Sequence, residues 1–555
     1  MTLDFSAYAA NFRSMKPARH TGAIVAAVLL GLVLAGCGNL PAQAPRTPTF
    51  ALASNAGTPL ASLVEASHPV DEKRAGAGTI SGFRLLGSSE MAYGSRIALI
   101  DAATRTLDLQ YYTIHYDSST EALMKRLRVA AQRGVRVRVL LDYFNAVGKN
   151  VAVLRLAEEP GIEVRMFNPV SGPRNSQVGR IVGSLFDFKR IQQRMHNKML
   201  VADNALAVAG GRNLGDAYFG QSDTSNFLDL DLLVAGPMVT ALSRSFDAYW
   251  NDPLAYPVQA LLSDSDQKAP TTKPVAPVAS TPFQVQSPSP ALPADGPVPA
   301  KPVPGATAIA QEMQNGRLAL TWAPSALLAD KPAKIAAENP LDETDLDDTV
   351  VDGVLNLVAR AKTDVLIVSP YFVPGPRMME VFTTLRQRGV RVRVLTNSLA
   401  SNDAPLAHVG YARYRKPLLE SGVGLFEMRA TGKIQRRLFG SNPDARASLH
   451  IKALVIDSRL LVVGSMNLDL RSQLQNTELG MVVRSRKMSN VMEEALAQSL
   501  DDSYRLSLED GQLRWTSPSD APGQPAEVLR REPDVGMGLQ IMLKLAGPFA
   551  PDELL

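Results

Sequence analysis

The stretch His196, Asn197, Lys198 with Asp203 recurs 254 positions later as His450, Ile451, Lys452 with Asp457. Two copies of one half-site constrain the fold strongly, because they form a single centre only if the chain brings them face to face. The copies continue in step. Gly210, Gly211 and Asn213 follow the first histidine by 14, 15 and 17 residues, as Gly464, Ser465 and Asn467 follow the second. Upstream, QRGVRVRVL runs from Gln132 to Leu140 and again from Gln387 to Leu395, an offset of 255. A near-constant offset over this length is an internal duplication.

Each copy opens with an apolar strand pattern, LDLQYYTI from Leu107 and DVLIVSPYF from Asp364. A helical stretch follows; in the first copy Gly134 stops it before the strand VRVRVLLD. Strand, helix and strand in that order predict a right-handed unit with a parallel strand pair. The expected fold class is α/β, with two homologous repeats packed about a pseudo-twofold and one shared site. Repeat 1 is placed at residues 76–264 and repeat 2 at 309–526, with a tail at 527–555. Between them, residues 265–308 are crowded with Pro, Ala, Ser, Thr and Val and read as an extended linker.

The chain has 555 residues, 45% hydrophobic and 20% charged, with a formal net charge of +4, so net charge gives no argument for a nucleic-acid partner. Arg13, Lys16 and Arg19 precede the apolar run GAIVAAVLLGLVLAG, which ends at Cys37. The run is shorter than the roughly 18 apolar residues of a membrane span and ends in small residues, as a secretory signal does. LAGC resembles the lipobox of bacterial lipoproteins, which implies cleavage before Cys37 and its lipidation. Residues 1–37 are therefore read as a signal peptide and 38–75 as a tether. By the same analogy, Gly38 after the cysteine favours the outer membrane, with the protein facing the periplasm.

The doubled motif and its flanks resemble the phospholipase D superfamily from about Gly82 to about Tyr504. The segments MHNKMLVADNALAVAGGRNLGDAYF and LHIKALVIDSRLLVVGSMNLDLRS look like those of bacterial cardiolipin synthases of the C type. The resemblance implies a phosphatidyltransferase that makes cardiolipin from phosphatidylglycerol, with phosphatidylethanolamine as a possible second donor, through a phosphohistidine. It implies His196 as nucleophile and His450 as acid and base; the residues themselves leave that order open. It also gives Asp229 and Glu478, aligned in LDLDLLV and TELGMVV, the task of orienting the histidines.

Residues i and i+2 of a strand share a face, so His196 projects with Lys198 and His450 with Lys452. Two imidazoles and two ammonium groups suit attack on a phosphodiester anion. Asn213, Asn467 and Ser465 are candidate hydrogen-bond donors to the phosphate, and Gly210, Gly211 and Gly464 would admit it close to the backbone. Asp203 and Asp457, counted within the motif, lie an odd number of residues from the histidines and are expected to brace the fold.

No CxxC, HExxH or GxxxxGK[ST] is present, so neither a metal nor another cofactor is expected. The expected partners are phospholipids and a membrane surface, met by the basic runs FKRIQQR, GKIQRRLF and YARYRKP. A phospholipase D hydrolase and a nuclease share this catalytic core and are the rival readings.

Overall fold

The computed structural model describes residues 46–69, 80–146, 155–170, 188–261, 306–336, 349–431, 446–518, 525–546 and 551–552. The expected signal peptide with Cys37, residues 265–305 of the expected linker, and the run GKIQRRLF lie outside the described residues.

Both strand–helix–strand units form as the periodicity predicts. In the first, strands Thr106–Tyr111 and Arg136–Asp142 pair in parallel across helix Ser118–Gln132. Asp117 caps that helix by accepting the Thr120 N–H, and its inward stripe buries Leu123, Met124 and Leu127. The chain leaves it through Gly134 at φ +89°, a conformation that disfavours any side chain. In the second, Asp364–Val368 and Arg391–Asn397 pair in parallel across Gly375–Gln387, which ends at Gly389 with φ +79°.

An antiparallel hairpin extends each parallel pair and carries the motif. Met199–Ala202 and Leu206–Gly210 form one hairpin, Ala453–Ile456 and Leu460–Gly464 the other. Their side chains alternate between two cores. Leu200 and Ala202 face the helices of the first half, while Met199 and Val201 join a core shared with Val455, Leu366 and Leu461 of the second. Leu454 and Ile456 turn back to the helices of their own half. Strands buried on both faces explain the nearly continuous apolar runs. Strand Thr321–Ala329 ties the halves further, pairing with Ile80–Phe83 on one side and Leu479–Val483 on the other.

Three expected boundaries move. Residues 46–68, read as tether, pack on the first half: Leu60 and Leu63 enter its core, and the Thr49 hydroxyl accepts from the Trp250 indole at 2.9 Å. Residues 309–320, assigned to repeat 2, also belong to the first half, where Ile309 and Leu318 are buried and Glu312 pairs with Arg84. At the C-terminus, Glu527–Leu529 adds a strand to Gln512–Ser517, and Leu543 of helix Met537–Ala546 packs against Leu399 and Val409.

The aspartate of each motif sits in the hairpin turn, at φ +51° for Asp203 and +54° for Asp457. Aspartate tolerates this left-handed conformation better than most residues. From there Asp203 accepts the N–H groups of Thr104, Arg105 and Thr106 at 2.8–2.9 Å, and Asp457 accepts those of Lys362, Thr363 and Asp364 at 2.8–3.1 Å. Both carboxylates fasten the start of the adjacent parallel strand to the motif hairpin and take no part in the pocket. Asp203→Ala leaves several backbone donors without a partner, so we expect a loss of about 3 kcal/mol in urea unfolding. The more accessible Asp457→Ala should lose less.

Candidate active site

The two halves exchange short strands at the centre. Arg194–Met195, just before His196, pairs in parallel with Asn476–Thr477, and Arg446–Leu449, just before His450, pairs in parallel with Ser225–Leu228. The His196 N–H donates to Thr477 O at 2.9 Å, and the His450 N–H to Leu228 O at 2.7 Å. The next residue along each partner strand is a carboxylate, Glu478 or Asp229. The orienting pairs therefore cross between halves. His196 Nδ1 meets Glu478 Oε2 at 2.9 Å, and His450 Nδ1 meets Asp229 Oδ2 at 2.5 Å. With Nδ1–H donated to a carboxylate, each imidazole keeps Nε2 for chemistry.

The two pairs differ electrostatically. Burial, then the nearby Lys198 and Lys452 charges, push His196 well below the ordinary histidine range. Glu478 is raised by burial to about 6, although Lys198 and the Ser465 and Ser472 hydroxyls favour its charged form. Burial would also raise Asp229, but the His450 charge and hydrogen bond outweigh it and hold Asp229 below the usual carboxylate range. His450 is lowered by burial and Lys452, with Asp229 opposing the shift. His196 is thus the imidazole held more firmly neutral, while His450 faces the more firmly ionised carboxylate.

Lys198 and Lys452 lie beside their histidines, each donating to the histidine's own carbonyl at 2.6 and 2.7 Å. Both are almost completely buried. Burial lowers Lys452 to about 8 and Lys198 well below the usual lysine range. Lys198 also lies 5.3 Å from the centre of the Tyr112 ring.

The other predicted residues divide. Ser465, expected to bind substrate, donates its hydroxyl to Glu478 Oε2 at 2.5 Å and accepts the Leu479 N–H, so it positions the carboxylate. Asn213 is occupied by the fold: its Oδ1 accepts from Thr113 N and its Nδ2 donates to the Tyr218 hydroxyl. Asn467 differs: its Oδ1 has no hydrogen-bond partner among the described residues, so its amide is not held by the fold as that of Asn213 is. The glycines also serve packing rather than phosphate. A Cβ at Gly211 would overlap the Asp229 carboxylate, one at Gly210 would overlap Leu230 O, and one at Gly464 would overlap Leu479 O.

Several residues not singled out from sequence complete the site. Ser472 Oγ donates to Glu478 Oε1 at 2.9 Å, and Asp330 Oδ2 accepts the Glu478 N–H at 2.9 Å. Aromatic rings wall both histidines: Tyr112 lies 4.8 Å from His196, and Phe227 and Tyr218 lie 5.1 and 5.4 Å from His450. The basic runs, expected at the surface, are partly internal. Arg194 is buried in an ion pair with Asp142, and Arg415 is buried against Glu427. Among the described residues, no group of three or more His, Cys, Asp or Glu is placed to hold a metal ion.

Two α/β repeats that lend each other strands and orienting carboxylates define a two-repeat protein of the phospholipase D-like class. The family model described as "Cardiolipin synthase, PLD-like domain" matches residues 97–250 and 354–500, and the chain belongs to that family. It is 33% identical over 482 residues to cardiolipin synthase C of Escherichia coli K12, covering 84% of this chain and 94% of that one. It is 25% identical over 430 residues to cardiolipin synthase A of Pseudomonas entomophila, covering 77% and 70% respectively. The crystal structure of phosphatidylserine synthase from Haemophilus influenzae Rd KW20 superposes with a TM-score of 0.52 at 13% identity, over 87% of this chain and 98% of that one, and so shares the fold.

The electrostatics set the pH dependence. Glu478 is anionic above its raised value and Lys198 and Lys452 are cationic below their lowered ones, so turnover should rise through about pH 6 and fall at an alkaline limb well below the ordinary lysine range. Ser465→Ala removes a donor that favours the Glu478 anion and should move the acid limb upward. A pH–kcat/KM profile checks both; a change in KM alone, with the limbs unmoved, would instead give Ser465 a substrate contact.

Proposed function

We propose that this protein is a phosphatidyltransferase that forms cardiolipin by transesterification. The observation that carries the reading is the unequal pair of crossed histidines, in a chain whose relatives are cardiolipin synthases. Neutral His196 attacks phosphorus of phosphatidylglycerol through Nε2, the P–O bond to the leaving glycerol breaks, and His450 gives that alcohol its proton. His450 then takes the proton of an incoming phosphatidylglycerol hydroxyl, whose oxygen attacks phosphorus and breaks the P–N bond. The products are cardiolipin and glycerol; a phosphatidylethanolamine donor would leave ethanolamine instead. Lys198, Lys452 and Asn467 are assigned to the nonbridging oxygens, where positive charge and an amide N–H offset charge developing in the transition state.

Exchange of one phosphodiester for another needs no energy-rich donor, which suits a protein held outside the cytoplasm. Cys37 in LAGC is assigned as the lipidated N-terminal residue, anchoring the enzyme in the bacterial envelope with its site in the periplasm and the outer membrane favoured. No helix among the described residues is long and apolar enough to cross a membrane.

Incubation with labelled phosphatidylglycerol, with and without phosphatidylethanolamine, tests the reaction. Cardiolipin should dominate the products, and dominant phosphatidic acid would make the enzyme a hydrolase. His196→Ala and His450→Ala should each lower turnover by about 100- to 10,000-fold or more with the melting temperature kept. Quenching in denaturant at neutral or mildly alkaline pH, where the acid-labile P–N bond survives, should trap the phosphatidyl label on His196. Cys37→Ala should release the protein from the membrane fraction; unchanged retention and processing would remove the lipid anchor from this reading.

A further inference from the structure

The second half carries a surface that the catalytic centre does not use. Helix Pro405–Glu420 follows Asp403, whose carboxylate accepts the Tyr371 hydroxyl at 2.9 Å and faces Ser448 Oγ at 3.5 Å, two residues before His450. The helix therefore starts at the edge of the site. Its first turn exposes Leu406, and one turn later Val409 packs against Leu399 and Leu543. Helix Met537–Ala546 is apolar on two faces: Leu543 is buried, while the neighbouring Ile541 and Met542 are 58% and 55% exposed. A terminal helix that served packing alone would have no need of the second face.

Beneath these helices lies a cavity of about 600 Å³. Apolar Leu399, Leu513 and Trp515 line it together with the basic pair Arg530 and Arg531, and His408 Nδ1 is buried there without a hydrogen-bond partner. Most nearby acids are taken up by internal partners. Glu532 pairs with Arg415, Asp534 accepts the Tyr504 hydroxyl, and Asp552 meets Arg413 and Tyr414. Arg530 and Arg531 are exposed and form no ion pair among the described residues. Exposed apolar side chains on these two helices, with exposed guanidinium groups at the mouth of the cavity between them, complement an anionic amphiphile.

We propose that helices Pro405–Glu420 and Met537–Ala546 form a docking surface for an anionic phospholipid bilayer. Leu406, Ile541 and Met542 enter the interface, and Arg530 and Arg531 meet lipid phosphate at the cavity. This inference rests on the lipid-acting reading of the site and places the site's edge against the membrane that supplies its substrate. Docking here is separate from any anchor at Cys37, because it fixes orientation rather than attachment.

The test uses the full chain carrying Cys37→Ala, so that an introduced thiol is the only one. An environment-sensitive dye is placed at Ile541→Cys or, as control, at Val129→Cys, which is exposed on the first half. On phosphatidylglycerol vesicles the dye at 541 should shift to the blue and be quenched by brominated lipid, while the dye at 129 stays aqueous; neither should respond to phosphatidylcholine vesicles. Ile541→Asp with Met542→Asp should lower turnover on phosphatidylglycerol vesicles by about tenfold and leave turnover of a soluble phosphodiester within about twofold. Arg530→Gln with Arg531→Gln should weaken vesicle binding and reduce its salt dependence. An aqueous dye at 541, or equal responses at 541 and 129 with vesicle turnover intact in the aspartate variant, would overturn the proposal. Docking at 541 by an enzyme whose catalytic residues are intact but which forms no phosphatidyl-transfer product would keep the surface and discard the transferase reading.

Discussion

The structure depends on the two histidine–carboxylate pairs that cross the pseudo-twofold. Glu478 of the second repeat holds His196 of the first, and Asp229 of the first holds His450 of the second. Neither repeat contains a complete site. The backbone makes the same exchange one residue earlier, through Thr477 and Leu228, so the strand register that joins the halves is also the register that aims the imidazoles. A slip of one residue would turn each carboxylate to the opposite face of its strand.

Such a centre is expensive to bury. Two lysines, two histidines and two carboxylates are almost wholly removed from water, and desolvating an ion costs several kcal/mol even after relaxation. The shared apolar core offsets this: Met199, Val201 and Leu232 of one half pack with Val455, Leu461 and Met481 of the other. The same burial that strains the charged groups keeps His196 neutral and draws Lys452 toward neutral pH. Fold stability and reactivity are therefore set by one interface.

Much of this was legible in the residues. The repeat offset gave two α/β halves, and the i, i+2 spacing put each lysine beside its histidine, although the three motif residues lie between strands rather than within one. Asp203 and Asp457 brace the frame because they sit in the hairpin turns, not because of strand parity. The crossing was not legible, because Asp229 and Glu478 each follow the motif of their own repeat by about the same distance and only strand pairing shows which histidine each meets. Ser465 read as a phosphate donor because a hydroxyl suits either partner; its place across from Glu478 decided the matter. Gly210, Gly211 and Gly464 read as room for phosphate, yet the space is filled by a neighbouring strand or carboxylate. Composition also misplaced residues 46–68 and 309–320, whose few apolar side chains, such as Leu60 and Ile309, are buried by distant parts of the first half. Charge clusters hid Arg194 and Arg415, since sequence shows a charge but not the carboxylate that accompanies it indoors.

The crossed pairing is tested most directly by NMR titration of the imidazole Cε1–H resonances of His196 and His450, assigned with His196→Gln and His450→Gln. The account predicts that Asp229→Asn moves the titration of His450 and leaves His196 nearly unchanged, whereas Glu478→Gln moves His196 and leaves His450 nearly unchanged. If each carboxylate instead moved the histidine of its own repeat, or if neither histidine responded, the shared centre described here would be contradicted.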